Sequence, residues 1–147
     1  MSFVELSREQ QVGILSLARG KANALQAEFV DEIAARVEEL AADSTTRALV
    51  ITSGVPRMFS GGFDVLEVFR YPREPMAQFF TRFVALFQRI RTLPKPVVCA
   101  LTGHAFAGGA ILALAADFRV MSDTATLSVN EVDLAVIDAP DVVDMAE

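Results

Sequence analysis

The 147-residue sequence predicts a single α/β domain, and three observations support this. Short apolar runs rich in β-branched residues alternate with segments of helical periodicity, the order typical of strand–loop–helix units. Hydrophobic residues make up 52% of the chain, enough to bury a core at this length. No internal repeat or flexible linker divides the chain, so we expect one domain over residues 1–147, with its core at about 3–136.

The first half of the chain is predicted to contain a hairpin, a long helix and a buried strand. Residues 3–6 and 12–17 have strand character and flank a polar turn, which favours the hairpin. Residues 27–42 form an amphipathic pattern whose apolar stripe consists of Phe29, Ile33, Val37 and Leu40. Residues 47–53 are rich in β-branched side chains, which indicates a buried strand.

The second half is predicted to begin, after a proline-containing break, with a helix at residues 76–93. This helix is predicted to pack in the core or against another subunit through Phe79, Phe80, Phe83, Phe87 and Ile90. A buried strand at 97–101 and a buried helix at 110–116 follow. Two short strands are then expected, at 118–121 and 125–129.

Composition and charge exclude several classes of protein. The net charge of −6 argues against a nucleic-acid-binding protein that relies on bulk positive charge, and residues 131–147 carry six of the acids and no base. One cysteine and one histidine, His104, leave no cluster for a metal or a disulfide framework. Neither a signal sequence nor a bilayer-spanning apolar run is visible, so the sequence predicts a cytoplasmic protein without membrane contact.

Two glycine-containing loops, residues 59–64 and 103–109, are the most informative features of the sequence. Each is predicted to connect a buried strand to a helix, where glycine permits a close approach of the backbone to a ligand. Two N–H groups that converge from such loops could form an oxyanion hole. The alternative is that the glycines only allow tight packing of strand on helix. Neither loop fits the dinucleotide or phosphate-loop patterns.

In combination and order, the sequence resembles the crotonase, or enoyl-CoA hydratase/isomerase, family. The resembling segments are residues 21–25, 48–52, 59–64, 95–109, 117–120 and 127–134. The resemblance implies a crotonase-like superhelix of β–β–α turns, assembled as trimers or as hexamers made of two trimers. It also implies an acyl-CoA thioester as substrate, with no further cofactor.

The resemblance assigns roles to particular residues of the two loops. The backbone N–H groups of Phe63 and Gly108 would hold the thioester oxygen. Three residues, Lys21, Ala22 and Ala24, would lie along the adenine and pantetheine of CoA. The residues expected to flank the thioester are Ser60, Gly61, Gly62 and Asp64.

Members of this family differ in the number of carboxylates at the active site. Similar hydratases use two glutamates, and the first of these positions is occupied here by Ile111, whose apolar side chain would line the substrate site. The second position matches Glu131, which is expected to act as the general base. A single carboxylate with an oxyanion hole is closest to the Δ3–Δ2-enoyl-CoA isomerase branch.

Other interpretations stay open at this stage. The chain could be an enoyl-CoA hydratase, another CoA-ester lyase or hydrolase, or a non-catalytic oligomer that binds CoA esters. Glu131 could be a solvated acid of the tail, and the aromatic stripe could line an acyl chain. The resemblance fades after Val136, so we expect the C-terminal helical part of the fold to be missing or shortened, with an acidic end at 137–147.

Overall fold

The computed structural model describes residues 1–130, and Glu131 lies outside these described residues. Strands and helices alternate along this part of the chain, which confirms the predicted α/β class. The elements are β1 (Val4–Glu9), β2 (Val12–Leu17), α1 (Ala27–Ala42), β3 (Ala48–Ser53), β4 (Met58–Ser60), α2 (Val65–Val68), α3 (Arg73–Arg91), β5 (Val97–Leu101), β6 (His104–Phe106), α4 (Gly108–Leu114), β7 (Phe118–Met121) and β8 (Leu127–Ser128).

The strands form two sheets. The larger has the order β1-β2-β3-β5-β7, in which β1 and β2 form the predicted antiparallel hairpin and all other pairs are parallel. The smaller has the order β4-β6-β8 and is parallel throughout. Because β3 and β5 are parallel neighbours, the chain leaves both at the same edge of the larger sheet. From there it enters β4 and β6, which are again parallel neighbours.

Sequence reasoning was wrong about β4 and β6, which were expected to be loop. Each strand has only three residues. Their pairing joins Met58 to His104, which are far apart in sequence, so no local periodicity predicts it. The pairing brings the two glycine-containing loops side by side.

Helix α1 covers one face of the larger sheet and packs against α3. Its buried residues are Phe29, Val30, Ile33, Val37 and Leu40, which include the predicted apolar stripe. Gln26 caps the helix by accepting a hydrogen bond from the Glu28 N–H at 2.5 Å. Along the sheet, the buried side chains of β2, β3 and β5 alternate with less buried ones, as expected when one face meets helices.

Helix α3 begins at Arg73, three residues before the predicted start. Pro75 lies in its first turn, where a backbone N–H would have no partner within the helix, so the ring is tolerated there. None of the helices in residues 1–130 combines the length and apolar composition needed to cross a bilayer.

Candidate active site

The two glycine-containing loops touch at Gly62 and Gly108. A Cβ atom on Gly62 would lie 3.0 Å from the Phe106 carbonyl oxygen and 3.3 Å from the Gly108 nitrogen. A Cβ atom on Gly108 would lie 2.8 Å from the Phe63 ring. Gly62 also has a φ of +93°, which side chains rarely adopt. The contact between the loops therefore requires glycine on both sides.

The backbone around Phe63 fixes the direction of its N–H group. The Leu25 N–H donates to the Gly62 carbonyl at 2.7 Å, and the Asp64 N–H donates to the Leu25 carbonyl at 2.7 Å. This parallel bridge uses the peptide groups on either side of Phe63, so the Phe63 N–H points away from Leu25. Within residues 1–130, neither this N–H nor that of Gly108 donates to a protein acceptor.

The Phe63 side chain anchors the first loop to α3. Its ring makes edge-on contacts with Phe79, Phe80 and Phe83, with ring centroids 5.2, 5.5 and 5.0 Å away. Phe79 and Phe83 are buried, whereas Phe80 is 40% exposed. The aromatic stripe predicted from the sequence thus forms mostly core, and Phe80 leaves apolar surface beside Phe63.

An ion-pair cluster holds the far end of the first loop. Arg19 donates from Nη1 to the Asp64 carboxylate at 3.1 Å and to the Ala24 carbonyl at 2.7 Å. Asp64 also caps α2 by accepting from the Glu67 N–H at 3.3 Å. Tyr71 donates to Glu67 at 3.0 Å. Burial raises the pKa of Tyr71, and the nearby carboxylates raise it further, so the phenol remains a donor.

The segment predicted to contact CoA runs beside the first loop. The Gly61 N–H donates to the Ala22 carbonyl at 2.8 Å, and Ala22 and Ala24 are half-buried. Lys21 is exposed and lies at an open cleft of about 490 Å³. The cleft is lined by Ala18, Gly20, Lys21, Gly54, Val55 and Pro56. The structure therefore brings Ala22 next to Gly61 and places Lys21 at the cleft.

The remaining predicted residues have distinct places. Ile111 lies in the first turn of α4, is half-buried, and donates its N–H to the Ala107 carbonyl at 3.0 Å. Ser60 is fully buried, and its hydroxyl has two internal partners. Glu131 is outside the described residues. Ser128, three residues earlier, accepts a hydrogen bond from Ala107 at 2.9 Å, so the described chain ends close to the second loop.

Two other side chains that could carry chemistry, His104 and Cys99, contribute to the packing and hydrogen bonding of the fold. His104 accepts at Nδ1 from the Thr126 N–H at 3.1 Å and stacks on Phe106. Cys99 is buried in β5, and burial raises the pKa of its thiol to about 12. In the described part of the chain, His, Cys, Asp and Glu form no group of three or more that could hold a metal ion.

Sequence reasoning missed Asn23, which is completely buried beside the first loop. It has a φ of +45°, and its side chain bonds to three segments of the chain. An asparagine in a turn was the available signal, since asparagine tolerates this conformation better than most residues. Its distant partners could not be read from the sequence.

Taken together, the fold and site define a class: α/β proteins in which two adjacent loops each carry a backbone N–H group that has no protein acceptor among residues 1–130. Comparison with known proteins identifies the family. Residues 7–146 match the family model for enoyl-CoA hydratase/isomerase. The chain belongs to this family.

Relatives of the chain include proteins named as enoyl-CoA isomerases and proteins named as enoyl-CoA hydratases. It is 37% identical to an enoyl-CoA isomerase/hydratase of Zymoseptoria tritici, a match that covers 93% of this chain and 46% of the relative. It is 33% identical to mouse mitochondrial enoyl-CoA delta isomerase 1, with 92% of this chain and 47% of the relative covered. The chain thus spans about half the length of these relatives.

Solved structures agree on the fold. Human mitochondrial delta3-delta2-enoyl-CoA isomerase superimposes with a TM-score of 0.89 at 26% identity, over 99% of this chain and 58% of that chain. An enoyl-CoA hydratase structure from Geobacillus kaustophilus gives the same TM-score and identity, over 93% of this chain and 52% of that chain. These similarities confirm the predicted crotonase-like fold.

Proposed function

We propose that this chain binds an acyl-CoA thioester and isomerises a Δ3-enoyl-CoA to the Δ2 form. The observation that carries the proposal is the contact between Gly62 and Gly108, with the N–H groups of Phe63 and Gly108 both unpaired among the described residues. Two such donors aimed at one oxygen would stabilise the negative charge that develops on a thioester carbonyl. Membership of the enoyl-CoA hydratase/isomerase family supports the substrate class.

Glu131 is the proposed base. With the carbonyl polarised, the C2 proton becomes acidic, and the Glu131 carboxylate removes it. The electron pair of the C2–H bond delocalises into a dienolate, whose oxygen the two N–H groups hold. Glu131 then returns the proton to C4, and the double bond moves from C3–C4 to C2–C3. The atoms balance without water, metal or a redox cofactor.

The position of Glu131 in the sequence supports this role. Ser128 is bonded to Ala107, the residue before Gly108. The chain is therefore held at the second loop three residues before Glu131. Ile111 supports isomerisation over hydration, because its side chain supplies no second acid or base to activate water.

The CoA portion is proposed to lie along residues 20–24. Lys21 is exposed at the cleft and carries a positive charge suited to a CoA phosphate. The hydrogen bond between Ala22 and Gly61 places this segment beside the first loop, so one ligand could reach from the cleft to Phe63. We also propose that the chain acts as a trimer or hexamer.

The experiment is incubation of the chain with 3-enoyl-, 2-enoyl- and saturated acyl-CoA esters, followed by chromatography and mass spectrometry. We expect conversion of the 3-enoyl ester to a 2-enoyl ester of unchanged mass. A product heavier by one water from the 2-enoyl ester would instead indicate a hydratase. Binding of esters without turnover would indicate a non-catalytic CoA-ester-binding protein.

A matched pair of variants tests the base. Glu131→Gln should lower isomerisation by about 10²- to 10⁴-fold while leaving ester binding intact, because the amide cannot accept the C2 proton. Asp133→Asn removes a carboxylate two residues away and should leave the rate unchanged. Full turnover by Glu131→Gln would show that the base is another group.

A further inference from the structure

Two buried polar side chains beneath the loops have no part in the proposed chemistry. Asn23 and Ser60 are both 0% exposed. We infer that they form a positioning pair, which sets the orientation of the Phe63 N–H relative to the Gly108 N–H. This inference rests on the proposed function, since it concerns the two donors assigned there.

Asn23 joins three segments of the chain. Its Oδ1 accepts from the Arg19 N–H at 2.7 Å, and its Nδ2 donates to the Phe59 carbonyl at 2.9 Å and to Ser53 Oγ at 2.8 Å. The amide therefore uses both its donor and its acceptor groups. Because the side chain is anchored on Phe59, in the middle of β4, the backbone of Asn23 has a fixed place beside the first loop.

Ser60 connects the backbone of Asn23 to both loops. Its hydroxyl donates to the Asn23 carbonyl at 2.8 Å and accepts from the Gly62 N–H at 3.2 Å. On the other side, a Cβ atom on Gly109 would lie 2.5 Å from the Ser60 carbonyl oxygen and 2.6 Å from Ser60 Cβ. The start of α4 thus packs directly on Ser60, while the hydroxyl holds the Gly61–Gly62 peptide, which precedes the peptide of the Phe63 N–H.

Loss of the Ser60 hydroxyl should therefore alter the orientation of the first loop's backbone more than the packing around it. Ser60→Ala keeps the contact with Gly109 but leaves the Gly62 N–H without its acceptor. The Gly61–Gly62 peptide then loses its constraint, and Gly62 and the Phe63 N–H after it are held only through the bridge to Leu25, so a shift of Gly62 weakens the bond from Phe63 to the thioester oxygen. A misplacement of about 1 Å can cost about 10²-fold in rate, so we expect kcat to fall by roughly 10- to 100-fold with KM changed less than about threefold.

The decisive readout is the infrared carbonyl stretch of bound butanoyl-CoA labelled with ¹³C at the thioester. This saturated ester has no double bond to move, so the measurement does not depend on turnover. Two N–H donors lower the stretching frequency of the bound carbonyl relative to free ester. Thr46→Val is the control, because Thr46 is also buried, its hydroxyl is bonded to Asp43, and it lies away from the loops.

We expect the wild-type chain and Thr46→Val to lower the carbonyl frequency equally, and Ser60→Ala to lower it by clearly less. Ser60→Cys, which retains a weaker donor and acceptor, should give an intermediate value and serves as the test if the alanine variant does not unfold cooperatively. A full frequency shift in both Ser60 variants would overturn the inference and leave the proposed function standing. No frequency shift in the wild-type chain would overturn both.

Discussion

Substitution of Gly62 by alanine should damage the point at which the two loops meet. The added methyl group would lie 3.0 Å from both Ala107 Cβ and the Phe106 carbonyl oxygen. These contacts are tighter than ordinary packing allows. The residue would also keep a φ of +93°, which is unfavourable for alanine. The close contacts and the unfavourable backbone conformation should therefore each lower the free energy of unfolding of Gly62→Ala.

The magnitude follows from the two penalties. A left-handed backbone costs a non-glycine residue about 1–2 kcal/mol, and overpacking costs about 1–3 kcal/mol. We expect the free energy of unfolding to fall by about 2–5 kcal/mol in Gly62→Ala. Gly20 separates the contributions, because its φ is +58° and a Cβ atom there would meet no atom within 4 Å. Gly20→Ala should show only the backbone penalty.

Urea denaturation of the wild-type chain and the two variants, followed by circular dichroism, gives the free energies. Gly62→Ala should be less stable than Gly20→Ala by about 1–3 kcal/mol, the part due to contact between the loops. If the two variants lose the same stability, the loops do not meet at Gly62, and the geometry of the site is wrong.

Two further predictions concern groups outside the site. Cys99 should not react with a thiol reagent in the folded chain, because it is buried and burial raises the pKa of its thiol to about 12. It should react after the chain is unfolded in urea. Rapid labelling of the native chain would contradict its placement in β5. A hydrogen bond from Arg89 lowers the pKa of Glu38, so this pair stabilises the fold above the unfolded pKa of the carboxyl and ceases to do so as the pH falls through its folded pKa. Both side chains are more than a third exposed, so Glu38→Gln should cost only about 0.5 kcal/mol near pH 7, measured by urea denaturation. The cost should shrink steadily as the pH is lowered below the ordinary pKa of the carboxyl, and a cost that does not change with pH would exclude the ion pair as the cause.

Sequence reasoning predicted best where a local pattern determines the structure. Helix α1 was predicted at 27–42 and observed at Ala27–Ala42, because its apolar residues repeat at helical spacing over the whole segment. Strands β5 and β7 were likewise predicted with their observed bounds. Strand β5 is a run of apolar residues, and β7 contains three apolar residues and Arg119; turn residues follow each strand.

Prediction failed where distant segments determine the structure. Strands β4 and β6 exist because they pair with each other, and neither has enough residues to show a period. The role of Asn23 depends on Phe59 and Ser60, more than thirty positions later, so nothing near Asn23 indicates it. The loops themselves were found through their glycines, but their contact at Gly62 required the fold.

The central claim is that the N–H groups of Phe63 and Gly108 hold one thioester oxygen. The most direct measurement is a crystal structure of the chain with bound butanoyl-CoA. We predict that the thioester oxygen lies about 3 Å from both backbone nitrogens. A bound ester whose oxygen contacts only one of them, or neither, would contradict the claim.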